Sequence, residues 1–403
     1  MTVFTKKTFD IKGKRKEAGP MIKTYKLKDV DFGNGWTDYV ENRWEYKQFI
    51  DNKDWREGWI SFDCCYYHKD SKSLFLGVTS FDGDIFYEFD VETKEFVNMG
   101  FKKIGNPYDA KFHRSLCYHP QTETLYAAVA LLHCTDRYKE APGGAVVAAS
   151  VDGKRLEKLS VPIPHVYIQA CDIDIANNKL YLQFFTPEYI GEFDLCTREF
   201  RLLGLAGSGI GGMAQGQNIL VDKEGNLWGA WCLTRAWQDK PGKDVNRIFI
   251  KKAHEPEITW LNIGLPYSDG EYGYNKADAF FELGDDHHIY VSDVKGSLYR
   301  ISKETYQVDF LFNPVPYGKG RFSAMIKAAN GDVYAAVGKD EDCQIIKVNL
   351  CEGTYEKVCS LQDQNGIVCR QIHHMTEGPH GILYCCENDN PKRSSYLWEI
   401  DLR

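Results

Sequence analysis

A unit of short strands recurs along this chain and is easiest to see at residues 285–312, with a further strand just before it at 277–283. Residues 277–283, 289–293, 297–301 and 307–312 are runs rich in β-branched and aromatic side chains, and turn residues such as Lys295-Gly296 separate them. Meanders of four short strands that recur every 45–60 residues are typical of the blades of a β-propeller.

The same unit recurs along the chain, with innermost strands that start near residues 58, 112, 168, 214, 276, 321 and 370. These starts predict an all-β fold, a seven-bladed β-propeller of four-stranded antiparallel blades that occupies residues 58–403 as a single domain. The weak periodicity leaves six or eight blades as alternatives.

The last unit, 370–403, contains only three strand-like runs, so its ring position lacks an outermost strand. Residues 21–28 alternate in hydrophobicity, and we expect them to supply that strand and close the ring, which removes an open sheet edge. Residues 1–57 are therefore interpreted as an N-terminal segment that holds the ring-closing strand and an aromatic-rich flap.

Composition excludes several classes of protein. The net charge is −8 and the basic residues are dispersed, which argues against nucleic-acid binding. No apolar run approaches the roughly 20 residues that span a bilayer, and the first residues contain no apolar signal segment. The 13 cysteines include no Cys-x-x-Cys pair, so we expect buried, reduced thiols and a cytoplasmic protein.

Polar residues lie where the predicted innermost strands begin, and these positions line the central channel of a propeller. Several are cationic, which predicts an anionic ligand that bears carboxylates. A channel filled with water would also tolerate such residues. The residues predicted to bind a substrate are Arg114, Gln217, Lys276, Arg321, Arg370 and His373, with Arg235 and Trp237 from a long loop in blade four.

His113 and His133 occupy comparable ends of neighbouring strands in blade two, so their imidazoles are expected to face each other across the channel. Histidine titrates near neutrality and can accept or return a proton. Arg114 lies beside His113 and could neutralise a carboxylate, while Tyr189 could protonate a leaving oxygen. A base, an acid and charge neutralisation are the requirements for β-elimination from a uronic acid.

With this blade architecture, His113, His133, Tyr189 and the arginines resemble the site of the propeller-fold polysaccharide lyases, which act on uronate-containing glycans. The resemblance implies a lyase that cleaves an anionic oligosaccharide. It assigns the base and its partner to His113 and His133, the acid to Tyr189, and carboxylate binding to Arg114 or Arg235.

Two alternatives stay open. One is a non-catalytic propeller that binds a glycan or a protein through Trp36, Trp44, Trp231 and Trp237. The other is a metal-dependent hydrolase or lactonase with ligands from 371–374 and 287–288. Adjacent residues on a strand point to opposite faces, so only one histidine of each pair can face inward. We therefore predict no cofactor and keep a divalent metal as the less favoured alternative.

Overall fold

The computed structural model describes residues 19–33, 52–130, 139–185, 187–208, 218–233, 245–267, 273–284, 286–315 and 320–403. These residues form seven mainly four-stranded antiparallel units. The innermost strands of neighbouring units contact one another, and that of the seventh contacts that of the first. Between the fourth and fifth units, the second strand of the fourth contacts the innermost strand of the fifth. The predicted seven-bladed β-propeller is confirmed.

Each blade is a meander whose strands follow one another outward from the channel. Blade one comprises Ser61–His68, Ser73–Thr79, Phe86–Asp90 and Phe96–Asn98. Blade two comprises Lys111–His119, Thr124–Ala130, Val146–Ser150 and Leu156–Ser160. Blade three comprises Tyr167–Asp174, Lys179–Phe185, Tyr189–Asp194 and Phe200–Leu205. Blade four comprises Leu220–Val221, Leu227–Leu233, Val245–Lys251 and Thr259–Trp260, with Gly207–Ser208 added in parallel to its second strand.

The remaining blades follow the same order. Blade five comprises Ala277–Phe281, His288–Asp293, Leu298–Ser302 and Val308–Phe312. Blade six comprises Arg321–Lys327, Val333–Gly338, Gln344–Asn349 and Thr354–Ser360. Blade seven comprises Ile372–Glu377, Leu383–Glu387, Leu397–Asp401 and Met21–Tyr25. Outside the blades are the hairpin Leu265–Pro266/Tyr274–Asn275, the α-helix Lys53–Gly58, and the 3-10 helices Phe101–Lys103, Asp340–Asp342 and Pro379–Gly381.

The N-terminal strand closes the ring as predicted. Met21–Tyr25 pairs antiparallel with Leu397–Asp401, with Ile22 opposite Ile400. Ile22 is buried, and Tyr25 donates a hydrogen bond to Glu399. The strand is shorter than the predicted 21–28. Of the expected aromatic flap, residues 34–51 lie outside the described residues, and the division into segments at residue 57 stays a prediction.

Turn chemistry explains why the chain reverses where it does. At the end of the third strand of blade one, the Asp90 carboxylate accepts hydrogen bonds from the main-chain N–H groups of Glu92 at 2.7 Å and Thr93 at 2.9 Å. Aspartate favours such turns because its side chain replaces a backbone acceptor. The same device recurs at Asp194, Asp222, Asp293 and Asp363.

Apolar clusters fill the wedges between neighbouring blades, where each sheet face packs on the next. Between blades two and three, for example, Ala128 and Val146 pack with Leu182 and Phe184. Every cysteine in the described part of the chain is a free thiol, and most are buried in these wedges. No helix among the described residues is long and apolar enough to cross a membrane.

Close approach of blades two and three yields a first prediction. A Cβ at Gly144 would lie 2.3 Å from the carbonyl oxygen of Val129 and 2.7 Å from the nitrogen of Ile168, and neither backbone atom can move alone. Gly144→Ala should lower the free energy of unfolding by about 1–3 kcal/mol, measured by urea denaturation. Gly19→Ala is the control, because its Cβ meets nothing within 4 Å. Equal stability of the two variants would contradict this packing.

Candidate functional site

The innermost strands carry β-bulges near their first residues, and these bulges build the centre of the channel. Strand register shifts there in blades one, two, three, five, six and seven. A bulge leaves a residue outside the hydrogen-bonded ladder and redirects its side chain. The polar residues in the bulges, all buried, are Asp63, His113, Arg114, Ser115, Gln169, Asp278, Ser323 and His373. We call this set the bulge ring.

Hydrogen bonds link the members of the bulge ring across blades. His113 Nδ1 donates to the carbonyl oxygen of Gln169 at 2.9 Å, and His373 Nδ1 donates to that of Asp63 at 2.9 Å. Arg114 donates through Nη2 to the carbonyl oxygens of Ser323 and His373. Main-chain carbonyl oxygens at the bulges thus accept hydrogen bonds from side chains of other blades. These bonds satisfy both the carbonyls and the side chains, which would be costly to bury without a partner.

Asp63 and the two histidines form the most compact group of the ring. The imidazole rings of His113 and His373 have centroids 4.6 Å apart and planes inclined by 56°. Asp63 Oδ1 lies 3.7 Å from His373 Nδ1. Thr79 donates to Asp63 Oδ2 at 2.5 Å and Asn388 donates to Oδ1 at 2.9 Å. Blades one, two and seven therefore meet at this group.

Burial decides the charge states of these residues. It lowers the pKa of His113, and Lys111 and Arg114 lower it further; the pKa of His373 is lowered by burial and then by Arg114. Burial also raises the pKa of Asp63 to about 7 and lowers that of Arg114 to about 10. At neutral pH both histidines are therefore uncharged, and part of Asp63 is protonated.

Cationic side chains and carboxylates converge at the mouth of the channel, next to the bulge ring. Burial raises the pKa of the half-buried Asp389, and the nearby charges of Lys111, Arg321 and Arg370 oppose that effect. Burial and the charge of Arg370 lower the pKa of Lys339, also at this mouth. Four cationic side chains from blades two, six and seven thus lie around this one acid.

Among the described residues, two of these cations form a direct ion pair. Arg321 binds Asp278, and Arg370 binds Asp340. Lys111 and Lys339 have no carboxylate partner in the portion of the chain that the structure describes. A cleft of about 380 Å³ opens here, lined by Val294, Gly320, Arg321, Lys339, Asp340, Glu341, Asp342 and Gln371. Lys339 lines this cleft together with the three acids of the Asp340–Asp342 turn, whereas Lys111 is not among its lining residues.

The structure brings together several residues predicted from sequence. His113, Arg114 and His373 belong to the bulge ring, Arg321 and Arg370 lie at the mouth, and each has the contacts given above. The adjacent His374 points elsewhere, with Nδ1 3.5 Å from the Cys65 sulfur, as strand alternation predicts. Lys276 precedes the innermost strand of blade five.

Other predicted residues are not part of this group. Tyr189 begins the third strand of blade three and packs against the apolar cluster between blades two and three, two strands outward from the channel. Trp231 donates through Nε1 to the carbonyl oxygen of Leu261 and lies edge-on to Trp260. His133, Gln217, Arg235 and Trp237, together with Trp36 and Trp44, lie outside the described residues.

Sequence reasoning did not single out Asp63, Ser323, Asp389 or the two lysines Lys111 and Lys339. The sequence nevertheless contains a pattern that marks the bulge ring. The first polar residue of each bulge follows an apolar residue near the start of an innermost strand, as in Phe-Asp63, Phe-His113, Ile-Gln169, Ala-Asp278, Phe-Ser323 and Ile-His373. If the repeats are aligned on this apolar–polar dipeptide, the polar residues fall at equivalent positions and are predicted to lie at one level of the channel.

Comparisons with known proteins support the fold alone. No family model matches the chain, and no curated protein matches it. Among solved structures, the WD40 β-propeller domain of Doa1 is similar with a TM-score of 0.52 and 11% identity, over 85% of this chain and 93% of that one. The WD40 repeats of RRP9 are similar with a TM-score of 0.56 and 10% identity, over 85% and 95%.

A further similarity is to the extracellular domain of the hybrid two-component system BT4673 from B. thetaiotaomicron, with a TM-score of 0.57 and 10% identity. It covers 85% of this chain and 38% of that one, so this chain matches well under half of that protein. None of these three structures is described as a polysaccharide lyase. At such low identity they show a β-propeller and nothing about chemistry.

Proposed function

We propose that this protein is a binding propeller that takes a carboxylate-bearing oligosaccharide through lysines at the mouth of its channel. One observation carries the proposal: Lys111 and Lys339 are half-buried at the mouth, and neither forms an ion pair with a described carboxylate. A partly desolvated ammonium group gains more from an anionic ligand than an exposed one, because water screens it less.

Aromatic side chains near the same mouth favour a sugar over a simple inorganic anion. Trp55 and Phe81 are half-buried beside Phe32 and Trp59. Phe81 follows Ser80, whose N–H donates to the carbonyl oxygen of Ala110, the residue before Lys111. Aromatic side chains are the groups on which sugar rings stack, so their presence at this end of the channel supports a sugar ligand.

Burial of the histidine pair favours binding over catalysis. His113 and His373 are each only 3% exposed, and their Nδ1 atoms are engaged with main-chain carbonyls. A general base has to reach the proton that it removes from a polymeric substrate. β-Elimination by His113, His133 and Tyr189 remains a prediction of the sequence, and the experiment below also tests it.

Calorimetric titration with trigalacturonate tests the proposal, with maltotriose as the neutral ligand of equal length. We expect binding of trigalacturonate only, and weaker binding at higher ionic strength. The double variant Lys111→Ala/Lys339→Ala should weaken the affinity at least about tenfold, which corresponds to the loss of roughly 1.4 kcal/mol. The control, Lys154→Ala/Lys252→Ala, removes two exposed lysines and should change the affinity less than about twofold.

Two results would contradict the proposal. Equal binding of maltotriose, or equal loss of affinity in both double variants, would show that the mouth lysines do not recognise the carboxylates. If ultraviolet absorbance of an unsaturated product developed during incubation with trigalacturonate, the protein would be a lyase and not a binding propeller.

A further inference from the structure

We propose that Asp63, His113 and His373 bind a divalent transition metal ion, with zinc the best match, which ties blades one, two and seven together across the channel. This inference goes beyond the proposed function, because it concerns the centre of the bulge ring and not its mouth. One ligand atom from each of the three residues lies within 4.8 Å of the others, and all three residues are buried.

Hydrogen bonds hold both histidines in the tautomer that a metal ion requires. Each Nδ1 faces a main-chain carbonyl oxygen, that of Gln169 for His113 and that of Asp63 for His373. A carbonyl oxygen can only accept, so Nδ1 carries the proton and the lone pair of the neutral ring is on Nε2. A second-shell carbonyl that orients the ring in this way is characteristic of metal-ligating histidine.

The carboxylate is oriented as well. Asp63 receives hydrogen bonds from Thr79 at 2.5 Å and from Asn388 at 2.9 Å, one to each oxygen. It makes no ion pair with lysine or arginine within the described ranges, although its side chain is fully buried. A buried carboxylate without a cationic partner is costly, and a metal ion would compensate its charge.

The ligand set selects the class of metal. Two imidazoles with one carboxylate suit zinc and its first-row neighbours, whereas magnesium and calcium prefer oxygen ligands only. Gln169, also in the bulge ring, has a buried side-chain oxygen that accepts no hydrogen bond from a described residue. That oxygen is a candidate further ligand, or an acceptor for a metal-bound water.

Cobalt(II) chloride is the probe for this site, because its visible absorption reports the ligands directly. The full-length protein is treated with a chelator, dialysed and titrated with Co²⁺. We expect one Co²⁺ per chain, visible bands of a nitrogen- and oxygen-ligated ion, and displacement by one equivalent of Zn²⁺ but not by Mg²⁺. Zn²⁺ should also raise the melting temperature, since it binds the folded chain.

Asp63→Asn should weaken Co²⁺ binding by at least about 100-fold, because it removes the only anionic ligand. His119→Gln is the matched control: His119 is a buried histidine at the other end of the same strand as His113, with Nε2 3.0 Å from Asn178. It should bind Co²⁺ like the wild type.

The titration of the wild type decides the matter even if Asp63→Asn fails to fold. Absence of stoichiometric Co²⁺ or Zn²⁺ binding to the folded wild type would overturn the proposal. Strong sulfur-to-cobalt charge-transfer bands would also overturn it, since they would place the ion on the cysteines. The proposal would likewise be overturned if folded Asp63→Asn bound Co²⁺ as tightly as the wild type, or if His119→Gln lost Co²⁺ binding.

Discussion

Removal of residues 1–27 should lower the melting temperature by on the order of 10 °C and cause aggregation, whereas removal of residues 1–18 should leave the melting temperature nearly unchanged. The longer deletion takes away Met21–Tyr25, the outermost strand of blade seven. It loses a ladder of hydrogen bonds worth about 1 kcal/mol each and the burial of Ile22, worth about 2–3 kcal/mol. A loss near 5 kcal/mol corresponds to roughly this shift in melting temperature.

Aggregation is expected because the deletion exposes Leu397–Asp401 as an unpaired edge that can pair with another chain. Calorimetric melting and light scattering measure the two effects. The 1–18 deletion controls for the loss of chain length, because it leaves the closing strand intact. Equal melting temperatures for the two deletions would show that the ring does not depend on this strand.

Glu387→Ala should lower the free energy of unfolding by about 3–5 kcal/mol, the usual cost of leaving a buried charge without its partner. Glu387 is fully buried at the end of the second strand of blade seven, where Arg393 donates to both of its oxygens at 2.8 and 2.9 Å. The main-chain N–H groups of Arg370 and Tyr396 also donate to it, each at 2.8 Å.

Equilibrium unfolding in urea measures this loss. Glu356→Ala is the control, because Glu356 is exposed on the outermost strand of blade six, and its replacement should change stability by less than about 0.5 kcal/mol. A loss below about 1 kcal/mol for Glu387→Ala would mean that the carboxylate does not organise this end of blade seven.

The blade count and the closing strand could be predicted because their causes are local in sequence. Strand period, aspartate turns and the missing fourth strand of the last repeat are all visible in short windows, as Asp90 and its turn illustrate. Blade four was less visible, since its innermost strand is reduced to Leu220–Val221.

The bulge ring could be predicted only in part, because bulges break the alternation on which strand reasoning depends. Strict alternation treats Asp63 as one position of a regular strand, whereas the register shifts between Phe62 and Cys64. The partners are also remote: His373 meets Asp63 across 310 residues of sequence. Contacts between residues so far apart in sequence form because the ring closes, and no local sequence pattern predicts them.

The lysines of the mouth were missed for a similar reason. Lys111 and Lys339 look like ordinary surface residues in sequence, and their importance comes from convergence around Asp389 without carboxylate partners of their own. Tyr189 shows the opposite case, since its position at a strand start suggested the channel, but the third strand of a blade lies away from it.

A crystal structure of the protein with trigalacturonate is the decisive measurement for the proposed function. We expect density for the sugar at the channel mouth, with its carboxylates within hydrogen-bond distance of Lys111 or Lys339. Ligand bound only on the outer strands, or a mouth that stays free of sugar at saturating concentration, would contradict it.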